Sequence, residues 1–165
     1  MIVKERLDCI KVQKRRDSMT QQDVVKELNQ QVANWTVAYT KLHNFHWYVK
    51  GPNFFSLHTK FEELYDEASQ YVDDLAERIL AIGGNPIGTL TESLDKSIVK
   101  EAGKNYAAEQ MVEELSHDFT NISKQLEHAI EVAGNAGDDV SEDMFIGMQT
   151  SVDKHNWMLQ SYLGK

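Results

Sequence analysis

The sequence predicts an all-α protein, a bundle of four long helices with one long connection in its middle. Three observations carry that prediction. Apolar residues return at alternating steps of three and four along four separate stretches. Only 2 prolines stand against 26% charged residues, a balance that suits long solvated helices. No stretch shows the period-two alternation of a half-buried strand, and no segment repeats.

The first helix begins about Asp23 and carries Leu28, Val32, Trp35, Tyr39, Leu42 and Val49, with His46 filling the one gap in the stripe. It stops near "KGPN", where Gly51 and Pro52 supply a break. The second carries Leu57, Phe61, Leu64, Ala68, Tyr71, Val72, Leu75, Ile79 and Ile82 and ends at Gly83-Gly84. Residues 83–104 form a long connection with one short helix around 91–98, the kind of crossover that can join parallel neighbours in a bundle. The third helix carries Met111, Leu115, Phe119, Ile122, Leu126, Ile130 and Ala133 and breaks at "GNAGDD". The fourth carries Met144, Met148, Val152, His155, Leu159 and Tyr162.

Bulk properties narrow the function classes. A chain of 165 residues suits one compact domain, since folding at this size buries roughly 70% of the extended-chain surface. No apolar run approaches the ~20 residues of a membrane span and no signal peptide is visible, so a cytoplasmic protein is expected. The single cysteine, Cys9, excludes an intrachain disulfide framework and a cysteine-based zinc ribbon. A net charge of -9 argues against whole-surface nucleic-acid binding and for acidic patches that attract cations.

Residues 1–18 have the opposite sign, with six bases against three acids, which leaves eleven bases and 23 acids, a balance of -12, for residues 19–165. One reading of this segment is a basic DNA-binding arm. The other, which we favour, is an untranslated leader read as protein: Lys14-Arg15-Arg16 can be encoded by a ribosome-binding purine run, two codons before a start at Met19. On that reading the domain is 19–165 and the natural protein has no cysteine.

Chemistry concentrates in "HNFHWYVKGPNFFSLHTKFEEL", residues 43–64, which holds three of the 6 histidines. In the second helix His58, Glu62, Asp73 and Glu77 fall within about 100° of one another at ~100° per residue, so they share one face. Yet a rise of ~1.5 Å per residue separates His58 from Glu77 by roughly 28 Å and Glu62 from Asp73 by roughly 16 Å. No single metal centre touches both ends. The two pairs share a midpoint between residues 67 and 68, so a two-fold axis there would set His58 beside Glu77 of a second copy and Glu62 beside Asp73 of that copy. The face points away from the helix's own core stripe, and its neighbours Tyr65, Ser69, Ala76 and Leu80 suit an interface better than a solvated surface.

His46 lies close to the turn that leads back to His58, so the two imidazoles can converge. Two histidines with two or three carboxylates make a mixed nitrogen and oxygen site suited to Fe(II), with Mn(II) or Zn(II) as competitors. Taken singly, each has an ordinary role: His46 as a hydrogen-bonded core histidine, the others as helix caps or solvated groups. Their conjunction is what marks a site. His43 lies to one side of the stripe as a supporting or surface group, His155 reads as a core histidine, and His117 and His128 as exposed. "ELSH", residues 114–117, matches one Glu-x-x-His motif of di-iron bundles, but such sites use two, and His117 lies far from the core direction.

The stretches "HNFHWYVKGPNFF", "DDLAERILAIGG" and "DKHNWML" resemble the Dps mini-ferritins, most closely their Gram-positive-type members, the metal-regulated stress proteins among them. The resemblance runs from about Val24 to Tyr162. It implies a ferritin-like four-helix bundle and a hollow dodecamer that oxidises Fe(II), preferably with hydrogen peroxide, and stores the ferric product. It also implies a ferroxidase centre at a two-fold interface, with His46, His58 and Glu62 from one chain and Asp73 and Glu77 from the other. The family usually has aspartate where this chain has Glu62, which bears on the second metal. By the same resemblance Trp47, next to His46, is either a local electron donor that absorbs stray oxidising equivalents or an interface packing residue. "GDDVSEDMF" offers Asp138 and Asp143 to an acidic three-fold pore, with Asp139 and Glu142 matching a capping box.

Overall fold

The computed structural model describes residues 19–165. The basic segment 1–18, with Cys9, lies outside the described residues. Five helices follow in order: α1 (Gln21–Tyr48), α2 (Phe54–Ala81), α3 (Leu90–Lys96), α4 (Ala108–Ala136) and α5 (Asp139–Tyr162), with no strand among the described residues. The expected bundle is therefore the observed one: α1 packs along α2, α4 packs along α5, and α1 also touches α4 and the short α3. Each long helix starts and stops where local chemistry allows. Thr20 and Asp23 cap α1 reciprocally, the Thr20 amide donating to the Asp23 carboxylate at 2.8 Å, a motif worth about 1 kcal/mol.

Three departures from the sequence reading have physical causes. The break expected at "GNAGDD" falls within that stretch but is narrower than it: α4 runs through Gly134 and ends only at Gly137, whose φ of 72° is the left-handed conformation that terminates helices. Gly134 has another task, since a Cβ there would stand 3.0 Å from the Glu142 carboxylate of α5. In α5 the core residue missing from the expected stripe is Phe145, fully buried. In α1 the expected single stripe is too narrow. Gln31, Asn34 and Lys41 are buried with the apolar residues because α1 is covered by α2, α3 and α4.

Most of those buried polar groups are paired, the exception among the described residues being the Gln31 Nε2, which has no partner. Asn34 donates to Gln31 and Gln125 and accepts the amide of Ile98, which ties the crossover to α1. The Lys41 ammonium lies 2.6 Å from Asp118 and 3.2 Å from Glu114, both on α4. Burial pushes the Asp118 carboxyl above the usual range, and the hydrogen bond from Lys41 pulls against that rise. Glu114 is thus a partner of Lys41, while His117 is exposed, as the reading of "ELSH" expects.

Candidate metal centre

The end of α1 and the start of α2 meet across the turn at Gly51-Pro52, and this brings His46 and His58 face to face. Their rings stack with centroids 3.6 Å apart and planes inclined by 21°. His46 Nδ1 lies 2.8 Å from the carbonyl of His58, and His58 Nδ1 lies 2.8 Å from the carbonyl of His46. A carbonyl only accepts, so both Nδ1 atoms carry a proton, and in the neutral rings both Nε2 atoms keep a lone pair. This is the tautomer a metal-binding histidine needs, held by main-chain acceptors in the way that orients such ligands.

Aromatic rings wall the pair. Phe54 stacks on His58 at 4.9 Å, and Tyr65 stands edge-on to His46 at 5.3 Å. His43 stacks on Tyr65 at 3.8 Å and meets Trp47 edge-on at 5.2 Å, the supporting position expected of it. Tyr39, read from the sequence as a core residue, is 38% exposed and packs on His43 instead. Partial burial, and after it the neighbouring Glu62 and Asp66 carboxylates, push the Tyr65 phenol up. Trp47 is 65% exposed beside the histidine pair.

Glu62, Asp73 and Glu77 are all exposed on the outward side of α2; the Glu62 carboxylate lies by the Tyr65 hydroxyl, and among the described residues the Asp73 and Glu77 carboxylates take part in no hydrogen bond or ion pair. Among the described residues no three of His, Cys, Asp and Glu come together in one chain. One continuous helix holds His58 and Glu77 apart. The chain therefore joins the histidines to each other and leaves the acids spread along the same face. Between α1 and α2 that face is hollowed into a groove of about 590 Å³ lined by Thr36, Tyr39, Asp66, Ser69, Asp73 and Ala76. The groove spans the shared midpoint at residues 67 and 68.

At the start of α5 the cap is Asp138, one residue before the expected Asp139. Its carboxylate accepts the Ser141 amide at 3.0 Å and an Arg78 guanidinium N–H at 2.6 Å. Burial would raise the Asp138 carboxyl, but the bonds from Ser141 and Arg78 outweigh it and hold the group below its usual range. The shift of cap follows from Arg78, which reaches from α2 and also donates to Ser141 Oγ. Of the two acids offered to a pore, Asp138 is engaged in this way and Asp143 is exposed.

Sequence reasoning missed a second polar cluster, on the inward side of α2. Glu67 accepts from Tyr71 at 2.6 Å, from Ser151 at 2.5 Å and from His155 Nε2 at 2.7 Å. Burial alone would raise the Glu67 carboxyl, yet the three donors bring it from 4.5 down to about 2. His155, expected in the core, does pack there as this donor. The signal was available: Glu67 falls three residues after Leu64 and four before Tyr71, on the core stripe of α2, where an unpaired acid is costly.

Comparison with known proteins bears on the whole bundle. A family model described as ferritin-like domain matches residues 25–165. General stress protein 20U of Bacillus subtilis is 52% identical over 143 residues, covering 87% of this chain and 99% of that protein. The DNA protection during starvation protein 2 of Bacillus anthracis is 49% identical over 142 residues, covering 86% of this chain and 97% of that protein. The crystal structure of Dps from Staphylococcus aureus superposes with a TM-score of 0.88 at 87% identity, covering 88% of this chain and 98% of that chain.

Proposed function

The chain belongs to the Dps family of ferritin-like proteins, and on that premise we propose that it oxidises Fe(II) at centres formed between two copies. Hydrogen peroxide is the proposed oxidant. The ferric product is stored as mineral inside a hollow homo-oligomer, a dodecamer, which protects a stressed cell. The observation that supports this most is the reciprocal His46 and His58 pair, which frees two Nε2 lone pairs while one chain supplies no third ligand beside them. An antiparallel copy seated on the α1 and α2 groove supplies the missing carboxylates, Asp73 and Glu77, in exchange for this chain's own.

The donor set suits its substrate. Neutral imidazole and carboxylate oxygen favour Fe(II), and Mn(II) and Zn(II) compete for the same atoms. Two Fe(II) give one electron each to one peroxide, which takes two protons and leaves as two waters. Paired oxidation consumes peroxide without releasing the radical that a lone Fe(II) would make. Glu62 reaches further than the aspartate usual in the family, and it bears on how firmly the second iron is held. Trp47 stands beside the pair as an electron donor for stray oxidising equivalents or as an interface packing residue. Asp143, exposed near the start of α5, is offered together with the engaged Asp138 as an acid of a three-fold entrance.

Binding to DNA is the second reading. Residues 19–165 carry a balance of -12 and would repel phosphate, so only a translated 1–18 arm, repeated around an assembled shell, could hold DNA, with strong salt dependence. Among the described residues no helix is long and apolar enough to cross a membrane, and the proposed compartment is the cytoplasm. The test is anaerobic loading of the assembled protein with Fe(II), then rapid mixing with peroxide while ferric absorbance and hydroxyl-radical yield are recorded. Fast oxidation with suppressed radicals, lost in His58→Ala, is the expected result. Oxidation no faster than in buffer would overturn the reading.

A further inference from the structure

We propose that Trp35 and Tyr71 form an oxidation relay that draws stray one-electron oxidants away from the iron centre into the bundle core, with Glu67 accepting the proton that Tyr71 gives up. The relay takes its oxidant from the iron chemistry proposed above, but its own steps can be tested without iron.

Aromatic rings lie in two groups inward of the histidine pair, Tyr65 with Tyr39 and Trp35 with Tyr71, one helical turn apart along α1. His46 meets Tyr65 at 5.3 Å, and Tyr65 meets Tyr39 at 6.3 Å. Trp35 sits one helical turn before Tyr39 on α1, the spacing at which side chains are neighbours. It then contacts Tyr71 of α2 at 4.9 Å. At the inner end the Tyr71 hydroxyl donates to Glu67 at 2.6 Å, while Ser151 and His155 hold the carboxylate in place.

Residue types at these positions are poor choices for packing alone. Trp35 is 2% exposed, and its indole N–H is buried with no partner among the described residues, a cost that leucine or phenylalanine would avoid. What indole and phenol supply instead is an easily removed electron. A phenol loses an electron readily only if its proton has somewhere to go, and the Glu67 carboxylate lies on that O–H bond.

The steps balance. A hydroxyl radical, formed when a single Fe(II) meets peroxide, takes one electron through Tyr65, Tyr39 and Trp35 and becomes hydroxide, which solvent protonates to water. Trp35 is refilled by Tyr71, whose O–H bond breaks: the electron passes to the indole and the proton to Oε1 of Glu67. The net result is one phenoxyl radical and one carboxylic acid in the core, in place of a diffusing radical at the iron.

The chain has 3 tryptophans, so Trp47→Phe with Trp157→Phe leaves Trp35 as its one indole. Laser photoionisation of that assembled protein should produce an indolyl radical whose decay matches the rise of a phenoxyl radical. Tyr71→Phe should abolish the matching rise and lengthen the indolyl lifetime at least tenfold, and Glu67→Gln should slow the transfer several-fold with the rings still in place. Equal indolyl lifetimes with and without the Tyr71 hydroxyl overturn the relay, whatever iron does. In the iron and peroxide assay, Tyr71→Phe should leave the ferric rate unchanged and raise spin-trapped radical at least twofold. Absent ferric formation in the parent protein would count against the iron reading alone, and the photochemical arm would still decide the relay.

Discussion

The two sides of α2 treat charge in opposite ways. On the inward side Glu67 takes three hydrogen bonds and is held down to about 2. On the outward side Glu62, Asp73 and Glu77 are exposed and, among the described residues, none is in an ion pair. A carboxylate facing a core must be satisfied within the chain, because leaving it bare costs several kcal/mol. Acids left bare along a groove, in line with two histidines whose lone pairs are also free, are what a partner and a cation would complete. On this helix the satisfied acid faces the chain's own core and the exposed acids face outward.

Five substitutions break or sharpen that contrast, from the largest expected effect downward. Asp73→Ala and His58→Ala should each bring Fe(II) oxidation down to the rate in buffer while thermal unfolding of the shell shifts little. Loss of stability comparable to loss of activity would mean that the outward face is packing. In the core between α1 and α4, Lys41→Ala should cost about 3–5 kcal/mol, because Asp118 is left buried without its cation, and the ferric rate per assembled protein should survive. Glu67→Gln should cost on the order of 2 kcal/mol at neutral pH. The folded carboxyl is depressed, so its contribution is present above 4.5 and lost as pH falls through about 2. Melting curves from pH 5 to pH 2 should therefore fall more steeply for the parent than for Glu67→Gln. Glu62→Asp should be mildest, a few-fold change in the affinity of the second iron read by Fe(II) titration, with the first iron unaffected.

How much of this was legible in the sequence depended on which neighbours decide each residue. Periodicity placed the helices because apolar spacing is local, and α2 ended where Gly83 permits, with φ at 78°. The burial of Gln31, Asn34 and Lys41 was not legible, since it depends on α3 and α4 crossing α1. At the site, the spacing of His46 and His58 was visible, but the reciprocal carbonyl bonds that choose their tautomers are a property of two helix ends meeting. The cap at Asp138 was misplaced by one residue for a similar reason: Arg78, sixty positions earlier, selects it.

The central claim is that each centre draws His58 from one chain and Asp73 from another. The most direct test mixes His58→Ala and Asp73→Ala chains at equal amounts through dissociation and reassembly, verifies mixed shells by mass, and measures Fe(II) oxidation by peroxide. Each hybrid pair keeps one intact site out of two, so random mixing should restore about a quarter of the parent rate. Mixed shells as inactive as either variant alone would contradict the shared centre and return the outward face of α2 to packing.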